Sequence, residues 1–125
     1  MTTGLDDGVA NSDATKPSDL VYLADAGSRW AYHNAPYTLL DTVVESAVNQ
    51  KFETYFNLKL REEIGMDGQW IWTGNNHVYY STARSMARFG ILIQNQGLWN
   101  DTRLIDSTYL LQSATKSQDL NHAYG

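Results

Sequence analysis

A mainly α fold is predicted by three features of this sequence. Apolar residues recur at spacing four between Pro36 and Ile64, a similar row follows Ser81-Thr82, and glycines stand where both patterns stop. The chain has 125 residues, enough for one ordinary domain with a core and too few for two. With 42% apolar, 12% aromatic and 18% charged residues, the composition is globular and argues for a packed interior.

In chain order, residues 1 to 16 are rich in Asp, Thr, Gly, Asn and Ser and read as a loop, with a turn at Asp6-Asp7-Gly8. Pro17 suits a first helical position, Leu20, Tyr22 and Leu23 form a short apolar stripe, and Gly27 suits a left-handed stop. A short helix is therefore predicted over 17 to 26. From Pro36, Leu39, Val43 and Ala47 form one row and Leu40, Val44 and Val48 the next, which gives a helix with a broad apolar face to bury. Asn49-Gln50 interrupts it. Phe52, Phe56, Leu60 and Ile64, widened by Tyr55, then repeat at the same spacing in a second helix that Gly65 ends.

Residues 66 to 80 gather Trp70, Ile71, Trp72, Val78, Tyr79 and Tyr80 around Gly74-Asn75-Asn76, an extended, turn-rich pattern that reads as a short hairpin. Ser81 or Thr82 caps a third helix whose Met86, Phe89 and Ile93 are predicted to face the core, with Gly97 just past its end. A fourth, short helix is predicted around 107 to 114, starting from Asp106 or Ser107. No internal repeat or low-complexity segment interrupts this order.

Charge narrows the partners. The net charge is −5, from 14 acids scattered against 9 bases, and without a basic stripe nucleic acid is not an expected partner. No run of about 18 apolar residues is present, and Met1-Thr2-Thr3-Gly4-Leu5-Asp6-Asp7 lacks the basic start and apolar segment of a signal peptide. The chain itself thus carries no membrane or export signal. Without cysteine there is neither a disulfide nor thiolate chemistry, and the compartment stays open.

The candidate chemistry lies at Tyr32-His33-Asn34. In an extended segment, side chains two apart point the same way, so Tyr32 and Asn34 can converge on one ligand while His33 points elsewhere. A phenol can relay a proton, and an amide can both donate to a substrate carbonyl and accept from an ammonium, a division of labour that suits acyl transfer. Phenols titrate near pH 10, so a tyrosine acting as a base at neutral pH needs about 4 kcal/mol of help from a close cation. None of Lys16, Lys51, Lys59 and Lys116 lies beside the motif, and Arg29, three residues before Tyr32, would face away. On spacing alone Tyr-x-Asn is common, and a loop tyrosine packing on Pro36 beside a turn-forming asparagine is the ordinary alternative.

The flanks make the motif more specific. Met1-Thr2-Thr3-Gly4-Leu5, Gly27-Ser28-Arg29-Trp30-Ala31-Tyr32-His33-Asn34-Ala35-Pro36-Tyr37-Thr38-Leu39-Leu40, Gly65-Met66 and Tyr80-Ser81-Thr82-Ala83-Arg84-Ser85-Met86-Ala87-Arg88-Phe89-Gly90 occur in that order. Together they resemble the serine β-lactamase and penicillin-binding-protein (DD-peptidase) superfamily, in particular its class C-like hydrolases and esterases. His33 stands where that pattern has Ser, Ser85 where it has an acid, and Thr3 where it has Ser.

The resemblance implies the helical region of an α+β β-lactamase-like fold, residues 1 to 125 being an internal part of one domain without its main sheet. It implies catalysis by a serine of a Ser-x-x-Lys motif, with Tyr32 relaying protons and Asn34 orienting the substrate. That motif is expected upstream of Met1, and a Lys- or His-containing triplet downstream of Gly125. The chain is expected to hold neither, so that it is inactive in isolation. The implied substrate carries an amide, ester or β-lactam, no cofactor or metal is called for, and the implied location is the periplasm, the cell surface or the exterior. The alternative is a truncated, non-catalytic helical module that binds a partner. In either case, apolar faces left uncovered would favour self-association.

Other candidates are weaker. His33, His77 and His122 lack metal-ligand spacing. Asp6-Asp7 and Glu62-Glu63 read as a turn and a solvated helix end rather than acid/base partners. Trp30, Trp70, Trp72 and Trp99 could line a groove, but aromatics in a small domain more often fill the core. Asn100-Asp101-Thr102 fits a glycosylation sequon, which matters only for a protein secreted from a eukaryote.

Overall fold

The computed structural model describes residues 2–6, 17–32 and 35–122. Strand β1 (Leu5–Asp6) pairs antiparallel with β2 (Val21–Tyr22), Leu5 standing opposite Tyr22. This corrects the helix predicted over 17 to 26, of which only a 3₁₀ turn at Pro17–Asp19 forms. The reason is long-range. The Leu23 and Ala24 amides donate to the Gly4 carbonyl at 3.0 and 3.3 Å, and the Gly27 amide donates to the Thr2 carbonyl at 2.8 Å. Donors that a short helix would pair internally, after a costly nucleation, are instead taken by the N-terminal segment.

The helix predicted from Pro36 forms as α1 (Ala35–Thr38) and α2 (Leu40–Val48), and Asn49 ends it in a left-handed conformation. Its burial differs from expectation: Leu39 is buried, but Leu40 and Val43 are 55% and 60% exposed. The broad apolar face is covered only in part: Leu39, Val44 and Val48 are buried or half-buried, while Leu40, Val43 and Ala47 stay exposed.

The second predicted helix is continuous from α3 (Phe52–Phe56) through a π-helical stretch (Asn57–Arg61) to α4 (Glu62–Ile64). A row at strict spacing four winds round an α-helix by about 40° per step. The π stretch, marked by the Glu62 amide bonding back to the Asn57 carbonyl, has more residues per turn and offsets part of that drift. Ile64 is thereby brought into full burial. Gly65, at φ 66°, closes the rod as predicted: the Met66 amide donates to the Arg61 carbonyl at 2.9 Å and the Gly65 amide to that of Glu62 at 3.3 Å. This stop needs a left-handed residue, which glycine supplies without steric cost.

The predicted hairpin is present as β3 (Gly68–Thr73) and β4 (Asn76–Ser81), with Thr73 opposite Asn76 across a two-residue turn. Of the two turn residues only Gly74 has positive φ, at 61°, the pattern of a type II′ turn. Helix α5 (Ala83–Gln94) starts at Thr82, whose Oγ1 accepts from the Ser85 amide at 3.2 Å, which decides between the two predicted caps.

The facing of α5 is a correction. Leu92 and Ser85 are its fully buried residues, with Phe89 packed on the core, whereas Met86 and Ile93 are exposed. Ser85, Phe89 and Leu92 also lie on one helical face, and bonds from the Ser85 hydroxyl turn that face inward. Apolar spacing alone does not separate the two rows.

A second hairpin, not predicted, joins β5 (Leu98–Trp99) to β6 (Thr102–Arg103). Asn100 and Asp101 both have positive φ, as a type I′ turn requires. Helix α6 (Ser107–Ser113) follows, and the Asp106 carboxylate accepts from the Tyr109 amide at 2.9 Å. The core is Ile64, Met66 and Leu92, with Leu60, Tyr79, Phe89 and Trp99 packed around it. Helices carry that core, but three two-stranded antiparallel ribbons make the architecture mixed, and no sheet among the described residues is larger.

Candidate functional site

Tyr32 closes a segment that begins at a turn over residues 26 to 28. The Ser28 amide and hydroxyl both reach the Asp25 carbonyl, at 3.0 and 2.7 Å, and set this turn. One residue on, the Arg29 guanidinium pairs with the Asp6 carboxylate at 2.8 Å and ties the segment to β1. Asp6 therefore lies in β1 and in an ion pair, and the rest of the turn predicted at Asp6-Asp7-Gly8 lies outside the described residues. Tyr32 is 54% exposed. Asn34 and His33 lie outside the described residues.

One tetrad, Ser113-Ala114-Thr115-Lys116, does have Ser-x-x-Lys spacing, contrary to the expectation that the chain holds none. Within a helix that spacing would put both side chains on one face. Here α6 ends at Ser113 and Lys116 lies beyond it. The Ser113 hydroxyl donates to the Tyr109 carbonyl at 2.8 Å, and Lys116 pairs with Asp119. Neither partner activates the other, and the tetrad follows Tyr32 in the chain, whereas the resemblance requires it to precede.

The ordered segments are physically joined. The Ser85 hydroxyl, fully buried, accepts from the Asp67 amide at 2.8 Å and lies 2.9 Å from the Thr82 hydroxyl. Arg88 donates to the Gly65 carbonyl. Helix α5 and the Gly65-Met66 turn thus form one clamp, and Ser85 fills structurally the place where the resembled pattern has an acid. The sequence as a whole matches the Beta-lactamase family over residues 1–124.

The chain belongs to the beta-lactamase family. This is the serine β-lactamase and penicillin-binding-protein superfamily, and a relation to serine hydrolases acting on amides or β-lactams comes with it. No curated protein matches the chain.

One cavity of this beta-lactamase-family chain, about 470 Å³, is one that the sequence did not announce. Its walls include Asp41, Glu45, Lys51, Glu53, Trp72 and His77. His77 is buried on β4, its Nδ1 bonded to the Asp41 carboxylate and its ring stacked on Trp72 at 4.4 Å. Its Nε2 is 3.4 Å from the Glu53 carboxylate, close enough for an ion pair yet not aligned as a hydrogen bond. Asp41 and His77 are 36 residues apart, so only the fold brings them together. Glu45 is held by Lys51 at 3.7 Å and by the Phe52 amide at 3.0 Å, where it caps α3.

The tryptophans divide between the two predicted roles. Trp70 sits among Phe52, Phe56 and Tyr79 with ring centroids 4.9–5.3 Å away, and Trp99 packs on the core. Trp72, 57% exposed, instead lines the large cavity. Glu62 and Glu63 are exposed, as a solvated helix end should be. No group of three or more His, Asp or Glu side chains among the described residues is arranged to hold a metal. No helix there is long and apolar enough to cross a membrane.

Proposed function

We propose that this chain is the internal, mostly helical part of a serine hydrolase domain that cleaves an amide, ester or β-lactam through an acyl-enzyme. In this reading Tyr32 relays the proton and Asn34 orients the substrate carbonyl, while the acylated serine lies outside these 125 residues. The observation that carries it is the family match over residues 1–124, together with an exposed Tyr32 on a segment anchored by the Arg29–Asp6 pair. An oxyanion hole, which needs fixed N–H donors beside the nucleophile, would also come from outside. The fold does not choose among β-lactams, peptides and esters. By the same analogy the site of action is the periplasm, the cell surface or the exterior.

Nitrocefin and short p-nitrophenyl esters provide the test. The chain alone should turn over neither; robust turnover abolished by Tyr32→Phe or by Ser113→Ala would overturn the assignment. In a longer polypeptide with Ser-x-x-Lys upstream, Tyr32→Phe should lower kcat by about 10²–10⁴-fold, the usual worth of a positioned acid/base. An unchanged kcat there would remove Tyr32 from the mechanism.

One observation favours a second reading, a non-catalytic module that binds a partner: the partly uncovered apolar face of α2, with Leu40 and Val43 more than half exposed. Stop codons directly flanking the coding region would support it, whereas a Ser-x-x-Lys motif upstream and a Lys- or His-containing triplet downstream would support the hydrolase.

A further inference from the structure

His77 joins three elements that come from separate parts of the chain. It is buried on β4, and its Nδ1 is bonded to the Asp41 carboxylate of α2. Its Nε2 lies 3.4 Å from the Glu53 carboxylate of α3 and has no hydrogen-bond partner among the described residues. Between these two helices the chain turns a corner at Asn49, which is left-handed, and at the extended Lys51. The imidazole lies flat against Trp72, 4.4 Å away and inclined by only 3°, with Phe52 edge-on to it at 5.9 Å. These rings fix the plane in which the two nitrogens point.

One proton changes what the ring can bond. A neutral imidazole has one donor and one acceptor, and Asp41 takes the donor. Nε2 then presents a lone pair to the Glu53 carboxylate, acceptor against acceptor. An imidazolium donates from both nitrogens and meets both carboxylates with charge-assisted bonds. The two carboxylates differ in freedom: the Asp41 side chain is 21% exposed and that of Glu53 is 55% exposed, so Glu53 is the half that can let go. Asp41, Glu45, Lys51 and Glu53 are the charged side chains that share the cavity wall with His77. Of these, Glu45 and the well-exposed Lys51 face each other at 3.7 Å, and Glu45 also accepts from the Phe52 amide. From β3 the ring meets Trp70 and Trp72, neither of which titrates.

We propose that His77 is a proton-operated clasp: the imidazolium ties α2 to α3 across the cavity of about 470 Å³, and the neutral ring releases Glu53 and leaves the cavity more open and more negative. Acid closes the clasp and alkali opens it, the sense in which histidine switches work. Its residues are separate from Tyr32.

Histidine-ring, indole and backbone amide resonances of the isotopically labelled chain, followed between about pH 5 and 9, test it, with His77 assigned through His77→Gln. The His77 Cε1–H resonance should show one titration step, and the Trp72 indole and Glu53 amide resonances should move with the same midpoint. In Glu53→Gln, which keeps the shape and removes the charge, that midpoint should shift to lower pH. Glu45→Gln, on the same wall but turned to Lys51, should shift it less. If His77→Gln loses its dispersed spectrum, the two glutamate variants carry the test, with His77 recognised by its Overhauser contact to Trp72. The proposal fails if His77 shows no step in this range, or if the Glu53 and Trp72 signals ignore that step. It fails equally if Glu53→Gln moves the midpoint no more than Glu45→Gln does.

Discussion

Replacing Leu92 by Ala tests which face of α5 builds the core. Leu92 is fully buried against Ile64 and Met66, while Met86, six residues earlier on the same helix and so on another face, is 52% exposed. Buried Leu→Ala changes cost about 2–5 kcal/mol, the spread reflecting how far the surroundings collapse into the hole. Met66 is unbranched and can shift into part of that space, which places Leu92→Ala near the middle, at about 3 kcal/mol. Met86→Ala removes a half-wet side chain and should cost about 1 kcal/mol or less. With a urea m-value of about 1.5 kcal/mol/M, the first change lowers the midpoint by about 2 M and the second by less than about 0.7 M. Urea unfolding followed by far-UV circular dichroism measures both at constant m. If Met86→Ala lowers the midpoint more than Leu92→Ala, α5 is turned the other way and the clamp through Ser85 and Arg88 is wrong.

Two further outcomes are expected. The partly uncovered face of α2 should make the chain bind ANS or self-associate, and Val43→Glu should reduce either effect; a sharp monomeric melt without dye binding would count against that exposure. Tyr22 should titrate above its ordinary value of 10.0, because its hydrogen bond to Asp25 stabilises the protonated phenol. Any stabilisation from this bond is present below pH 10 and is lost as the pH rises through the higher folded-state value. Phenolate absorbance in Asp25→Asn should show one tyrosine moving back down, and an unchanged titration would dismiss the bond.

Much of this fold was legible because its signals are local. Glycine at 65, the Thr82 and Asp106 caps and the Gly74 turn each act within a few residues of themselves, and each works as the sequence implied. The β5–β6 hairpin had such a signal too, in Asn100-Asp101 between Leu98-Trp99 and Thr102-Arg103, but the flanking strands are only two residues long. The segment 17 to 26 was misread because its backbone donors are claimed by Thr2 and Gly4, from the other end of a ribbon that no periodicity announces. Of the site, Tyr32-His33-Asn34 and the ordered segments around it were readable as pattern, and the family those segments resemble is the one that matches residues 1–124.

What the sequence determined by itself is where the helices after Pro36 start and stop, where one hairpin turns, and which superfamily the order of motifs belongs to. These depend on caps, left-handed residues and short-range spacing, whose energies are settled within a turn or two. Tertiary structure alone decided which row of α5 faces inward and that Asp41 meets His77. Each of those depends on contacts between residues distant in the chain, for which apolar spacing offers several equivalent solutions and packing selects one.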